Sequence, residues 1–356
     1  MKYSLSTSII LSILIFFPFL KSQGQTGNDS GKISRQIDSI LTSKSLNGKL
    51  NGNVLVLKDG KELYQNSFGF ADANKTKKLT RDYRFNIGSV YKEFPAVAIM
   101  QLKESGRLKL QDKLSTYLPG LPNWAHTISI LNLLQYSGGL PKIDWGGHFS
   151  KGETVTDAMI MSDLQKIKQL DFSPGSDYLY SNYSPILLTK IVEHISGQDF
   201  QKYARLNLFD PYGLENSKIS EQYPYKDKTL MAIPFNENYE ADSYKISMPL
   251  ILFSATTEDM YQWFHHLDSF HIVSKNSVEI LSQEAKEGTN IQAPLGRCDW
   301  KNGQVVEHSH HGSSASYECV IRRFKQDDLS IIILTNQKHR NVYDISDEIL
   351  ALFEKG

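Results

Sequence analysis

Residues 52–70 read GNVLVLKDGKELYQNSFGF, and the fold turns on how that stretch is interpreted. GNVLVLK and KELYQNSFGF are strand-like runs that meet at Asp59-Gly60. Asp-Gly between two such runs is a strong hairpin signal, because the tight turn needs residues that tolerate positive φ. The far end of the chain behaves in the same way. SYECVIRRF (316–324) and LSIIILTN (329–336) read as strands separated by the polar KQDD. Ahead of the first hairpin, Ile33, Ile37, Ile40 and Leu41 form a helical stripe. Beyond the last strand, Ile345, Ile349, Leu350 and Phe353 mark an amphipathic helix.

The middle, 89–290, has a different texture: helical segments separated by loops such as LPGLPNW, YSGGLPKIDWGGH and FSPGSDY. Strands at both ends around a helical middle predict an α/β (α+β) fold. Its antiparallel sheet, flanked by helices, is built from both chain ends, and a mostly helical domain is inserted. The expected division is 25–88 with 291–356 for the sheet domain and 89–290 for the insertion. A cleft between the two is the natural place for a site.

Composition narrows the partners. The 356 residues are 40% hydrophobic and 22% charged, with 39 basic and 39 acidic side chains. That is an ordinary globular balance, with no footprint for nucleic acid and no polybasic membrane patch. At the N-terminus, Lys2 precedes the apolar run IILSILIFFPFL (9–20) and then KSQGQTGNDS. This pattern predicts a cleaved signal peptide, residues 1–24, with the mature chain secreted or periplasmic and without an integral membrane span. Cys298 and Cys319 are the two cysteines; export permits a disulfide, and spacing does not decide it. Oligomeric state stays open.

Three clusters can carry chemistry. In FNIGSVYKEF (85–94), Ser89 and Lys92 stand three residues apart at the mouth of the apolar helix EFPAVAIMQL. Residues at i and i+3 share a helical face, and a desolvated lysine can be the neutral base of a serine nucleophile. Pro95 predicts an irregular first turn. Ser-x-x-Lys alone is a weak signal, and most lysines are simply exposed.

The second cluster is Tyr180-Ser181-Asn182, on a loop leading into a helix expected to begin at Ser184-Pro185 and to end at Gly197. A phenol beside an ammonium is expected to have a lowered pKa and to relay protons, and an amide can hold a substrate carbonyl. The third is EHSHHGSSASYECVIRRF (307–324), where His310, His311, Gly312 and Ser313 lead toward a strand. Alternation puts His308 and His310 on one face, where a metal is the competing reading, although no third ligand stands at motif spacing.

The order and spacing of the clusters resemble the serine β-lactamase and penicillin-binding protein superfamily, in its class C-like branch. Ser-x-x-Lys, Tyr-x-Asn and His-x-Gly stand here as Ser89/Lys92, Tyr180/Asn182 and His310/Gly312. ILNLLQYSGGLP, FSPGSDYLYSNYS and SATTEDMYQWFHHL also look like this family, from about residue 35 to residue 335.

The resemblance implies a serine hydrolase acting on an amide or ester: a β-lactam, a D-Ala-D-Ala peptide or a small ester. No cofactor and no metal are implied. It makes Ser89 the acylated nucleophile, Lys92 its base, Tyr180 the proton shuttle and Asn182 the holder of the substrate carbonyl side. The amides of Ser89 and Ser313 become the oxyanion hole, and His310, His311 and Gly312 become the facing substrate-binding strand. Two positions depart from the family. His310 stands where a lysine often draws a substrate carboxylate, which shifts weight toward substrates lacking one. Tyr91 stands where a small hydroxyl residue is more usual, which narrows the cleft. A catalytically silent binder or sensor on the same scaffold is the alternative.

Overall fold

The structure, a computed structural model, describes residues 26–354 apart from 287, 289 and 290; the signal-peptide expectation lies outside that range. Strands β1 (Gly52–Lys58) and β2 (Lys61–Phe68) form the expected hairpin, with Asp59 at φ 53° and Gly60 at φ 67°. Near the other terminus lie β3 (Arg297–Lys301), β4 (Gln304–Ser314), β5 (Tyr317–Phe324) and β6 (Leu329–Thr335). All six make one antiparallel sheet in the order β2-β1-β6-β5-β4-β3. The two chain ends meet at β1 and β6, in a register pairing Val54 with Ile333 and Leu55 with Ile332.

Those central strands are buried along almost their whole length, because both sheet faces are covered. Strand alternation sends Val54, Val56, Ile331 and Ile333 to one face. There they pack with Ile37 and Leu41 of α1 (Thr26–Leu46) and with Ile345 and Ile349 of a C-terminal helix (Val342–Leu350). Leu55, Ile332 and Leu334 go to the other face and join the larger core made by the middle of the chain.

Two helices of that middle position the site. Helix α2 (Glu93–Glu104) is buried nearly all round, and Phe94 stacks on Trp263 with ring centroids 4.1 Å apart. Trp263 belongs to the helix Thr257–Asp268, which opens on a Thr256 cap accepting from the Asp259 amide. The entry to α2 is irregular, as Pro95 implied: residues Gly88–Lys92 form a 3₁₀ turn. Just before it, Phe85 and Asn86 pair with Ala255 and Ser254, which anchors the chain into that turn.

The second helix, Tyr183–Ser196, begins two residues earlier than expected. Asn182 takes the position before its first residue, while Ser184 and Pro185 fall inside the first turn. Ser181 decides this, since its hydroxyl accepts from the Tyr183 amide and donates to the Pro141 carbonyl. Gly197 ends the helix in the left-handed conformation, at φ 71°.

Candidate active site

In a 3₁₀ helix, side chains at i and i+3 eclipse, and Ser89 and Lys92 occupy those two positions. The Lys92 Nζ donates to the Ser89 Oγ at 2.9 Å. Only 5% of Lys92 is exposed, and it forms no ion pair with the described residues. Its Nζ lies between two rings, 4.8 Å from the centre of Tyr91 and 4.9 Å from that of Tyr180. Burial without a counter-charge lowers its pKa from 10.5 to about 7. Ser89 itself is partly exposed.

Two glycines bring β4 against this turn. A Cβ on Gly88, whose φ is +51°, would fall 2.2 Å from the Ser313 amide nitrogen, and one on Gly312 would fall 1.9 Å from the Ile87 carbonyl oxygen. Gly312 is therefore a point where two backbones touch. Ser89 and Ser313 line the same cavity as a result. The Lys338 Nζ donates to the Ser313 Oγ at 2.5 Å.

Tyr180 and Asn182 reach this cavity from the other side of the chain. The Leu179 amide donates to the Tyr136 carbonyl at 3.0 Å, and the Tyr136 and Tyr180 rings lie 4.7 Å apart. The YSGGLP loop thus clamps the segment before the helix. The lowered phenol pKa expected for Tyr180 is corrected here. Burial raises it to about 12, and contact with Ser89 offsets only part of that rise. With Lys92 itself shifted toward neutrality, the ammonium that was to stabilise a phenolate is weakened. Asn182 is half-buried, lines the cavity and makes no side-chain cap to its helix.

The cavity has a volume of about 480 Å³ and contains Ser89, Lys92, Tyr180, Asn182 and Ser313. Another space of about 440 Å³ is lined by Ser220 and Lys218 among others, but there the lysine is paired with Asp227 at 2.7 Å. His310 and His311 do not line the 480 Å³ cavity, which corrects their expected role as substrate contacts. His311 points to Glu318, at 3.1 Å, and stacks on Tyr343 at 5.5 Å.

His310 is buried behind the nucleophile turn, where its Nδ1 meets the Glu93 Oε1 at 2.6 Å. Glu93 is fully buried, receives a bond from the Trp263 Nε1 at 2.7 Å, and lies 3.3 Å from the His308 Nε2. The His308 Nδ1 in turn meets Asp268 at 2.9 Å. Burial alone would raise the Glu93 carboxyl, yet the charges and hydrogen bonds of His308 and His310 hold it at about 2. Burial opposes a charge on His308, but Cys298, Asp268 and Glu93 outweigh it and push its pKa well up. On His310 burial prevails and the pKa falls.

His308 and His310 do share a face, and carboxylates occupy both. Among the described residues no group of three or more His, Cys, Asp and Glu is arranged to hold a metal ion. Glu93 and Asp268 escaped the reading from sequence, and His308 entered it only in the competing metal reading. Their signal was a carboxylate inside an apolar helix, which demands a partner. Cys298 and Cys319 are both free thiols.

Comparison with known proteins places this geometry. The family model described as Beta-lactamase matches residues 44–354. A penicillin-binding protein of Bacillus subtilis (strain 168) is 25% identical over 324 residues, spanning 83% of this chain and 70% of that protein. The crystal structure of a penicillin binding protein from Bacillus halodurans superposes with a TM-score of 0.75 at 23% identity, over 89% of this chain and 99% of that one. A class C beta-lactamase gives a TM-score of 0.72 at 18% identity, over 91% of this chain and 97% of its own.

Proposed function

This chain belongs to the Beta-lactamase family, and from that premise we propose that it is a serine hydrolase working through an acyl-enzyme at Ser89. Its substrate is an amide or ester: a β-lactam, a D-Ala-D-Ala peptide or a small ester. The observation that carries this reading is the 2.9 Å contact between the Ser89 Oγ and a buried lysine without a counter-ion, whose pKa is about 7. Such an amine is available as a neutral base at neutral pH.

In this reading Lys92 takes the Ser89 proton as Oγ attacks the carbonyl carbon. The amides of Ser89 and Ser313 hold the resulting oxyanion, and Asn182 holds the carbonyl side of the substrate. Tyr180, a neutral phenol, gives its proton to the departing amine or alcohol and recovers one from the Lys92 ammonium. Water then attacks the acyl-enzyme with the same base and regenerates Ser89. We place the reaction between a sheet domain, 25–88 with 291–356, and an inserted helical domain, 89–290.

The N-terminal pattern supports an exported chain, secreted or periplasmic, which N-terminal sequencing of the mature protein tests. Among the described residues no helix is long and apolar enough to cross a membrane. A fluorophosphonate or a penicillin probe is expected to label Ser89, as mapped by mass spectrometry, and not Ser89→Ala. Folded protein that binds the probe without a covalent adduct would point to a silent binder instead.

A further inference from the structure

Beside the reactive groups and Ser314, the lining of the 480 Å³ cavity is largely apolar and includes Tyr91, Trp145, Phe149, Tyr244, Ile251 and Leu252. Of all the lining residues only Lys92 carries a charge-bearing side chain, and that amine is engaged by Ser89.

The aromatic wall is built rather than incidental. Trp145 stacks on Phe149 at 6.0 Å, Phe149 meets Tyr244 at 5.7 Å, and Tyr244 stacks on Tyr223 at 4.3 Å. Asp144 caps the short helix Trp145–Phe149 by accepting from the Gly147 amide at 2.8 Å, and His148 ties it to Asp163 at 2.7 Å. Parallel pairing of Val155 with Ile246 brings the two segments together. Tyr91 packs on Phe253 at 5.8 Å, and its buried hydroxyl has no hydrogen-bond partner among the described residues.

A cleft beside the nucleophile with a fixed, largely apolar wall suits the half of the substrate that stays attached, because the leaving half must depart before water enters. Resting on the acyl-enzyme reading, we propose that this acyl half is neutral and apolar, a phenyl-sized ring or a medium alkyl chain seated against Tyr91, Trp145, Phe149 and Tyr244. The chain then hydrolyses esters or amides of such acids. The carbonyl–oxygen or carbonyl–nitrogen bond breaks, the Ser89 proton ends on the leaving group, and water releases the acid. Burying ring and alkyl surface there stabilises the transition state, whereas a carboxylate seated against that aromatic wall, away from Lys338 at Ser313, would be desolvated without a partner.

The test holds the leaving group constant and varies the acyl group: p-nitrophenyl acetate, butanoate, phenylacetate and hemisuccinate, with wild type, Phe149→Ala and Phe149→Arg. In wild type, kcat/KM is expected to rise about fourfold per added methylene. Phenylacetate should exceed acetate by about tenfold or more, and hemisuccinate should fall at or below acetate. Phe149→Ala should compress the ladder, and Phe149→Arg should raise hemisuccinate relative to butanoate. A flat ladder in wild type, or a preference for hemisuccinate, overturns the inference. Fluorophosphonate labelling of the same samples separates the two levels: a labelled Ser89 with a flat ladder removes only the acyl preference, whereas no labelling removes the hydrolase reading and this inference with it.

Discussion

Lys92 and Glu93 are neighbours in the chain and both are buried, but they serve two different regions. Lys92 turns to the cavity, where it meets a hydroxyl and two aromatic rings. Glu93 turns inward, to Trp263, His308 and His310. Burial disfavours a charge on either group. In front nothing compensates, and the amine drifts to about 7. Behind, two imidazoles compensate in excess, and the carboxyl is held at about 2. Desolvation makes a base where no partner is supplied and an ion cluster where partners are. Reactive and structural electrostatics are thereby kept one residue apart.

The contrast can be broken at either side. The largest effect expected is on the cavity side: Ser89→Ala should lower esterase kcat by about 10⁴-fold or more with an unchanged thermal transition. Lys92→Met should lower kcat/KM by about 10² to 10⁴ without loss of thermal stability, because it removes a buried amine that has no ionic partner. Glu93→Gln should do the reverse and destabilise the fold in a denaturant titration, by up to about 3–5 kcal/mol, since it leaves the buried His308 with Asp268 as its remaining carboxylate partner. Tyr180→Phe should cost roughly 10²-fold in kcat, at the lower end for a general acid, and leave stability nearly unchanged.

A finer test uses pH and stability. Glu93 has a folded pKa of about 2 against the usual 4.5, so its contribution is complete above 4.5 and is lost as pH falls toward 2. Lys92 has a folded pKa of about 7 against 10.5, so the unfolded chain binds that proton more tightly. Its penalty is full below 7 and is relieved as pH rises to 10.5. Each window contributes a slope of about 1.4 kcal/mol per pH unit at most. Lys92→Met should flatten the alkaline rise, and Glu93→Gln should remove one proton from the acid limb.

Much of the architecture was legible in the sequence because its signals are local. Asp59-Gly60 announced the hairpin, and the apolar runs on either side of KQDD announced β5 and β6, two of the four strands that complete the sheet. Pro95 announced an irregular entry to α2, and the 3₁₀ geometry of Gly88–Lys92 is what sets Ser89 and Lys92 face to face. What stayed hidden depends on distant pairing. The Glu93 cluster joins residues 93, 263, 268 and 308, and the aromatic wall exists only because 155–156 pairs with 246–247. His310 was expected to face substrate, but the close backbone contact of Gly312 with Ile87 leaves it behind the turn. The sign of the Tyr180 shift differs because the phenol is itself buried, and desolvation outweighs its contact with Ser89.

The most direct test is the pH dependence of kcat/KM for acylation of Ser89 by a p-nitrophenyl ester, compared between wild type and Lys92→Met from pH 5 to 10. A neutral Lys92 base predicts a tenfold rise per pH unit at low pH, a bend near 7 and a plateau above it, all absent in Lys92→Met. A wild-type profile that stays flat, or that is still rising tenfold per unit at pH 10 as the ordinary lysine value of 10.5 requires, would contradict the account.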